Sequence, residues 1–249
     1  MRTLLRLAYD GAPFCGWQIQ PKHRTVQGDL DDALSTLLRQ PIQTMGAGRT
    51  DTGVHAKEMF AHFDCIPELG KGIQDLDQLV HRLNRFLDPA IRIYEAREVQ
   101  RNWHARFDAT ARSYEYILCA SGSPFWRNNA WMVERLPDLA KMNEAAKLLL
   151  TETDFASFCK VGSDNKTTIC NVTRAEWVME GEVVIFHITA DRFLRNMVRA
   201  IVGSLYEVGN GKWSVAEFNA RFAQKNRGAM GTSAPAQGLY LTEVTYNNL

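Results

Sequence analysis

The chain has 249 residues, 45% apolar and 23% charged, with a formal net charge of +1. At about 150 residues per domain this is one large unit or two small ones, with enough apolar content for packed cores, which excludes a disordered chain. No apolar run approaches the roughly 20 residues that span a bilayer. The first ten residues gain charge before any apolar stretch forms, so no signal peptide is expected and the chain reads as soluble and intracellular.

Residues 3–10 set Leu5, Leu7 and Tyr9 against Arg6, Ala8 and Asp10, the period-2 pattern of a half-buried strand. Val26, Leu30, Ala33/Leu34 and Leu37/Leu38 then repeat at helical spacing, with Thr25 as N-cap and Pro41 as a stop. A short strand is expected near Ile42–Met45, and a longer one through Met59, Ala61, Phe63 and Cys65. Leu76, Leu79, Val80, Leu83 and Leu87 mark a helix closed by Pro89, and Ile91–Ala96 a strand. The order β-α-β-β-α-β is that of the ferredoxin-like unit.

The second half repeats that order. A strand carries Tyr114, Tyr116 and Leu118, and a helix carries Leu139, Met142, Ala145 and Leu149. Val172–Met179 and Val183–Ala190 form a hairpin across Glu180-Gly181. Asn196–Val208 reads as an apolar helix in which Gly203 marks close packing, and Leu239–Tyr246 as the last strand. A small helix near Val215–Ala223 and a Gly/Ser/Ala/Pro loop at 228–238 are insertions. The expected architecture is α+β, with two ferredoxin-like halves of mostly antiparallel sheet flanking a cleft. The expected domains are 1–100 and 101–249, with the seam between about 98 and 108.

The five scattered cysteines form no CxxC pair, and the six histidines show no HxxxH or HExxH spacing. Disulfide frameworks and the common zinc signatures are therefore disfavoured, and reduced thiols fit a cytosol.

Three segments are candidates for chemistry. Gly46-Ala47-Gly48-Arg49-Thr50-Asp51-Thr52-Gly53 packs three glycines between two strands around one carboxylate. Glycines permit close backbone approach, and a guanidinium two residues away would hold Asp51 ionised, as a nucleophile requires. The same pattern also suits a plain Gly-rich turn with a local Asp–Arg contact. Asp51-Thr52-Gly53 spells the triad of aspartic proteases as well, but those use two such triads, and only a homodimer would supply the second. Trp103–Tyr116 interleaves basic and aromatic residues, as RNA-stacking segments do, although core aromatics give the same pattern. Arg195 and Arg199, four apart, are expected on one face at the N-terminal end of the 196–208 helix, where an anionic partner or solvent would justify them. Gly16-Trp17-Gln18 sets a Trp in a polar connection, either exposed or capping the core.

GAGRTDTGVHA, WHARFDATARSYEY, FLRNMVRAIVGSL and GLYL, in that order, together with Gly16-Trp17-Gln18 and Thr25-Val26-Gln27, resemble the tRNA pseudouridine synthase A family over about residues 4–246. The resemblance implies an isomerase that converts uridine to pseudouridine in the anticodon stem-loop of tRNA, at positions 38, 39 and 40, after flipping the base. It implies no metal and no organic cofactor, a basic cleft between the halves, a cytoplasmic homodimer and no membrane association. Asp51 takes the place of the catalytic aspartate and Tyr114 that of the substrate-contacting tyrosine. Arg195 takes that of the arginine paired with the aspartate, with Arg199 as its alternative and otherwise a substrate contact. Substrate contacts are expected from Arg49, Thr52, His55 and Arg112, and further ones from Trp17, Gln18 and Leu239. Thr52 stands where alanine is common in the family.

Overall fold

Backbone caps and sheet pairing define the elements of the computed structural model, which describes residues 1–65, 73–162 and 166–247. The strands are β1 (Arg2–Tyr9), β2 (Met45–Gly46), β3 (His55–Asp64), β4 (Ile91–Val99), β5 (Ala109–Cys119), β6 (Trp131–Met132), β7 (Val172–Glu180), β8 (Val183–Ala190) and β9 (Leu239–Tyr246). The helices are α1 (Val26–Leu38), α2 (Leu76–Phe86), α3 (Leu139–Ala146), α4 (Met197–Gly209) and α5 (Val215–Phe222). The chain is thus α+β, as its periodicities lead one to expect. Among the described residues no helix is long and apolar enough to cross a membrane.

Two compact units divide it, Met1–Thr110 with Leu241–Leu249, and Ala111–Tyr240. This differs from a division at residue 100. Residues 103–105 stay with the first unit because Arg2 Nη1 donates to the Trp103 carbonyl (2.8 Å) and the Ala105 N–H donates to His62 Nδ1 (3.2 Å). Most of β9 also returns to that unit, beside β3.

In the first unit the strand order is β4-β1-β3-β9, with β2 also on β3, and β1 is antiparallel to both neighbours. Leu4, Leu5 and Leu7 of β1 are fully buried with Leu30 and Leu34 of α1 and Leu79 and Leu83 of α2, each contributing roughly 1.5–3 kcal/mol by leaving water. Thr25 Oγ1 accepts from the Gly28 N–H (3.2 Å), and α1 ends at a left-handed Arg39 two residues before Pro41. Asp75 caps α2 in the same manner, accepting from the Gln78 N–H (2.8 Å). β1 shifts register against β3 between Leu7 and Tyr9, a bulge at the end of the strand that leads into the candidate loop.

In the second unit β5-β8-β7 is antiparallel, with β6 parallel to β5. The β7–β8 hairpin pairs Glu180 with Val183, so its two-residue turn is Gly181-Glu182, one position later than expected. Gly203 packs as its place inside α4 implies: a Cβ there would strike the Thr232 carbonyl oxygen.

His62 is 6% exposed, and burial, with Arg2 and His104 nearby, holds its pKa down to about 4. Between pH 6.5 and 4 the unfolded chain takes up a proton that folded His62 refuses. Its contribution is therefore complete above about pH 6.5 and is lost as pH falls toward 4, costing about 3 kcal/mol. Urea denaturation at pH 7 and pH 4 is expected to show that loss, and His62→Gln to show a smaller one.

Candidate active site

The segment between β2 and β3 is docked, residue by residue, onto the connection that follows β1. The Trp17 N–H donates to the Thr50 carbonyl (3.2 Å), and the Gly53 N–H to the Phe14 carbonyl (3.4 Å). Tyr9 and Thr50 share a buried hydroxyl–hydroxyl hydrogen bond of 2.9 Å. Beneath the Thr50-Asp51-Thr52 backbone lies Gly16, whose φ is +86°. The far end is held by His55, whose Nδ1 lies 3.1 Å from the Gly11 nitrogen and 3.0 Å from Asp10 Oδ1. The docking connection is itself tied to the start of α1. There the Val26 N–H donates to the Gly16 carbonyl (3.2 Å) and the Gln27 N–H to the Trp17 carbonyl (2.9 Å).

Asp51 opens a tight turn closed by the Val54 N–H donating to its carbonyl (3.1 Å). Gly53, third in that turn, has φ +76°, the type II conformation that glycine supplies. The other two glycines of the motif differ. A Cβ on Gly46 would meet the Trp17 indole at 2.6 Å, whereas one on Gly48 would meet nothing within 4 Å. Only Gly46 and Gly53 are therefore demanded by the geometry. The product is a half-buried Asp51 on a backbone clamped from both sides.

Several expected residues lie elsewhere than the sequence alone implies. Trp17 is 2% exposed, packed on Gly46 with its ring centroid 6.1 Å from that of Tyr9, so it supports the loop and has no free face for stacking. His55, 3% exposed, is likewise part of the support. Arg49 is exposed. Thr52 and Gln18 are exposed. Tyr9 and Thr50, which build the clamp with Gly16, have no role in the motif reading, where Gly16 enters only as the neighbour of Trp17. Gly11-Ala12-Pro13 and Gly16 were the signal, as a turn-rich stretch directly after a strand.

Removing either hydroxyl breaks the buried hydroxyl–hydroxyl hydrogen bond between Tyr9 and Thr50. Tyr9→Phe and Thr50→Val are each expected to cost about 1–2 kcal/mol in chemical denaturation, and the double variant less than their sum.

The second unit carries the other candidates. On β5, Arg112 Nη1 donates to the Asp191 carbonyl (2.9 Å), and Ser113 and Thr189 pair across the strands at 2.9 Å. Tyr114 is half-buried, edge-on to Phe193 with centroids 5.1 Å apart. Tyr116 is buried and donates to the Pro235 carbonyl (2.8 Å), and burial pushes its phenol up, so it stays a donor. Leu239 is buried as the first residue of β9.

Arg195 and Arg199 do not share a helix face. Asn196 is left-handed, with φ 66°, and α4 begins at Met197, which leaves Arg195 exposed in the preceding turn. Arg199 is fixed: its Nε donates to the Ala234 carbonyl (2.7 Å), and its own carbonyl accepts from the Ala234 N–H (2.9 Å). The 231–235 stretch, read from sequence as part of an insertion, thus positions Arg199, and Arg227 braces it through the Gly231 carbonyl (2.8 Å) and Ser233 Oγ (3.0 Å).

An α+β chain that immobilises one carboxylate in a backbone clamp is suited to nucleophilic or electrostatic catalysis. Residues 145–247 match the sequence model of a family described as tRNA pseudouridine synthase, which places the chain in a class of isomerases. It is also similar along nearly its whole length to proteins named tRNA pseudouridine synthase A. That of Bacteroides thetaiotaomicron is 48% identical, with 98% of this chain and 90% of the relative covered. That of Bacteroides fragilis is 48% identical over 98% and 96%, and that of Bacillus licheniformis 38% identical over 100% of both. The chain belongs to the tRNA pseudouridine synthase A family.

Proposed function

We propose that this chain isomerises uridine to pseudouridine in the anticodon stem-loop of tRNA, at positions 38, 39 and 40. Membership of the family supports tRNA as the substrate, and the two Bacteroides relatives are named for tRNA. The observation that carries the catalytic part is the clamp on the Thr50-Asp51-Thr52 backbone, which fixes a half-buried carboxylate.

In the proposed reaction the stacked uridine is first flipped out of the RNA, at a cost of about a few kcal/mol. The Asp51 carboxylate attacks the ribose at C1′ or the uracil ring as nucleophile. The bond it forms is broken again, by C5 displacing it at C1′ or by elimination from the ring, so that the free carboxylate is regenerated. The C1′–N1 bond breaks, the uracil turns, C5 bonds to C1′, C5 gives up its proton, and N1 gains one. Atoms and charge balance without an oxidant or a second substrate. Tyr114 stacks against the extruded base and offsets part of the flipping cost. Arg199, rather than Arg195, is assigned as the cation serving Asp51, because the Ala234 carbonyl holds its guanidinium through Nε, whereas Arg195 is exposed and its hydrogen bond with the Lys160 N–H runs through its backbone carbonyl. Exposed Arg49 is assigned to the phosphate of the flipped nucleotide.

The same reading includes two ferredoxin-like halves, a homodimer sharing a basic groove, and a cytoplasmic location, and it calls for no metal or organic cofactor. Release of the C5 hydrogen supplies the test. Transfer RNA carrying tritium at uridine C5 is expected to lose tritium to water when mixed with the protein, while a peptide substrate at acidic pH stays intact. No tritium release from any tRNA of the source cell sinks the proposal.

A further inference from the structure

Residues 103–108 form a turn whose backbone is fastened at almost every position. The Asp108 carboxylate accepts from the His104 N–H (2.8 Å). His104 Nδ1 accepts from the N–H groups of Arg106 (3.1 Å) and Phe107 (3.3 Å), and the Asp108 N–H returns to the His104 carbonyl (3.1 Å). Behind the turn, Tyr246 donates to the Ala105 carbonyl (2.6 Å), Ala105 donates to His62, and Arg2 holds the Trp103 carbonyl. At its tip this rigid turn presents Phe107, which is 74% exposed. The ring is backed by the His104 imidazole, with centroids 4.3 Å apart and planes tilted by 33°, and the Arg106 guanidinium carbon lies 5.7 Å from its centroid.

A lone surface phenylalanine needs no explanation, but one backed by a second ring, flanked by a cation and held by this many hydrogen bonds has had its ordering cost removed in advance. A fixed aromatic beside a guanidinium is the chemistry that receives an unpaired nucleobase and its phosphate. We infer that Phe107 and Arg106 form a second contact point for the RNA substrate, with Phe107 stacking on an unpaired base and Arg106 neutralising the adjoining phosphate. Neither residue belongs to the catalytic set assigned above. The inference rests on the reading that the substrate is RNA.

Binding of an anticodon stem-loop, followed by fluorescence anisotropy over a salt series, tests it in the full-length protein. Phe107→Ala is expected to weaken binding about 5- to 150-fold with its salt dependence unchanged, Phe107→Leu nearly as much, and Phe107→Trp little or not at all. Arg106→Gln is expected to lower the slope of log affinity against log salt by about 1. Because Phe107 is exposed, all variants should melt with the wild type, and sedimentation should show an unchanged oligomeric state. Wild-type affinity in Phe107→Ala, or in Phe107→Leu, overturns the inference. So does loss of self-association in these variants, which would make the ring a contact with a second copy of the chain. Wild-type protein that neither binds nor isomerises tRNA would instead overturn the reading on which the inference depends.

Discussion

Asp51→Asn is expected to lower pseudouridine formation by on the order of 10⁴- to 10⁶-fold, the scale seen when a catalytic nucleophile is removed. Asparagine has nearly the same shape but no charge and no nucleophilic oxygen. Backbone and hydroxyl contacts hold the segment, through the Thr50 hydroxyl, the Thr50 and Asp51 carbonyls and the Gly16 surface, and all of these survive the substitution. The loop should therefore keep its form, and stability should stay within about 0.5 kcal/mol of wild type. Affinity for tRNA should also persist, because phosphate contacts supply most of it. Three measurements on one preparation, tritium release, filter binding and thermal melting, separate these effects. A variant that still turns over at a few per cent of the wild-type rate removes Asp51 from the covalent step. A variant that has lost tRNA binding along with turnover shows the carboxylate holding the site together instead.

Element boundaries were legible wherever punctuation residues act locally. Thr25 and Pro41 bracket α1, Pro89 follows α2, and β9 spans the same Leu239–Tyr246 in pattern and in structure. Boundaries failed where a through-space partner decides them. β2 begins only at Met45 because the Thr44 N–H and hydroxyl both turn to Asp31 Oδ1 on α1 (2.9 and 2.6 Å). β3 starts at His55, ahead of the apolar run, because the Gly53 turn delivers the chain already extended. The register of α4 turned on a single left-handed Asn196, a conformation asparagine tolerates but composition does not announce. The candidate site divides in the same way. The glycines and the carboxylate stood out because tight turns and lone charges are locally unusual. The buried supports were harder to read: Tyr9 looks like an ordinary apolar residue until Thr50 is brought beside it, and Trp17 stood out without the sequence deciding between an exposed ring and one packed on Gly46.

Gly16→Ala makes the second large effect, and Gly48→Ala is its control. Gly16 lies outside the Asp51 motif, yet its φ of +86° is one that an L side chain adopts only with strain. An added Cβ would meet the Thr50 carbonyl oxygen at 2.5 Å and the Asp51 carbonyl carbon at 3.1 Å. Both are backbone atoms, so relief requires the Thr50-Asp51-Thr52 segment to move outward or the Trp17–Thr50 hydrogen bond to open. A displacement of about 1 Å at a reacting group costs on the order of 10²-fold in rate, and kcat is expected to fall by about that factor. The Kd for tRNA should change little, since no phosphate contact is assigned to this glycine. Gly48 sits in the motif itself, but a Cβ there meets nothing, so Gly48→Ala should leave kcat within about twofold and stability within about 0.5 kcal/mol. Steady-state kinetics on the two variants side by side decide whether the clamp or the motif's glycine content sets the rate. A Gly16→Ala enzyme with normal kcat would mean that the Asp51 backbone tolerates displacement, and a crippled Gly48→Ala would mean that the open side of the loop must admit the RNA backbone at close range.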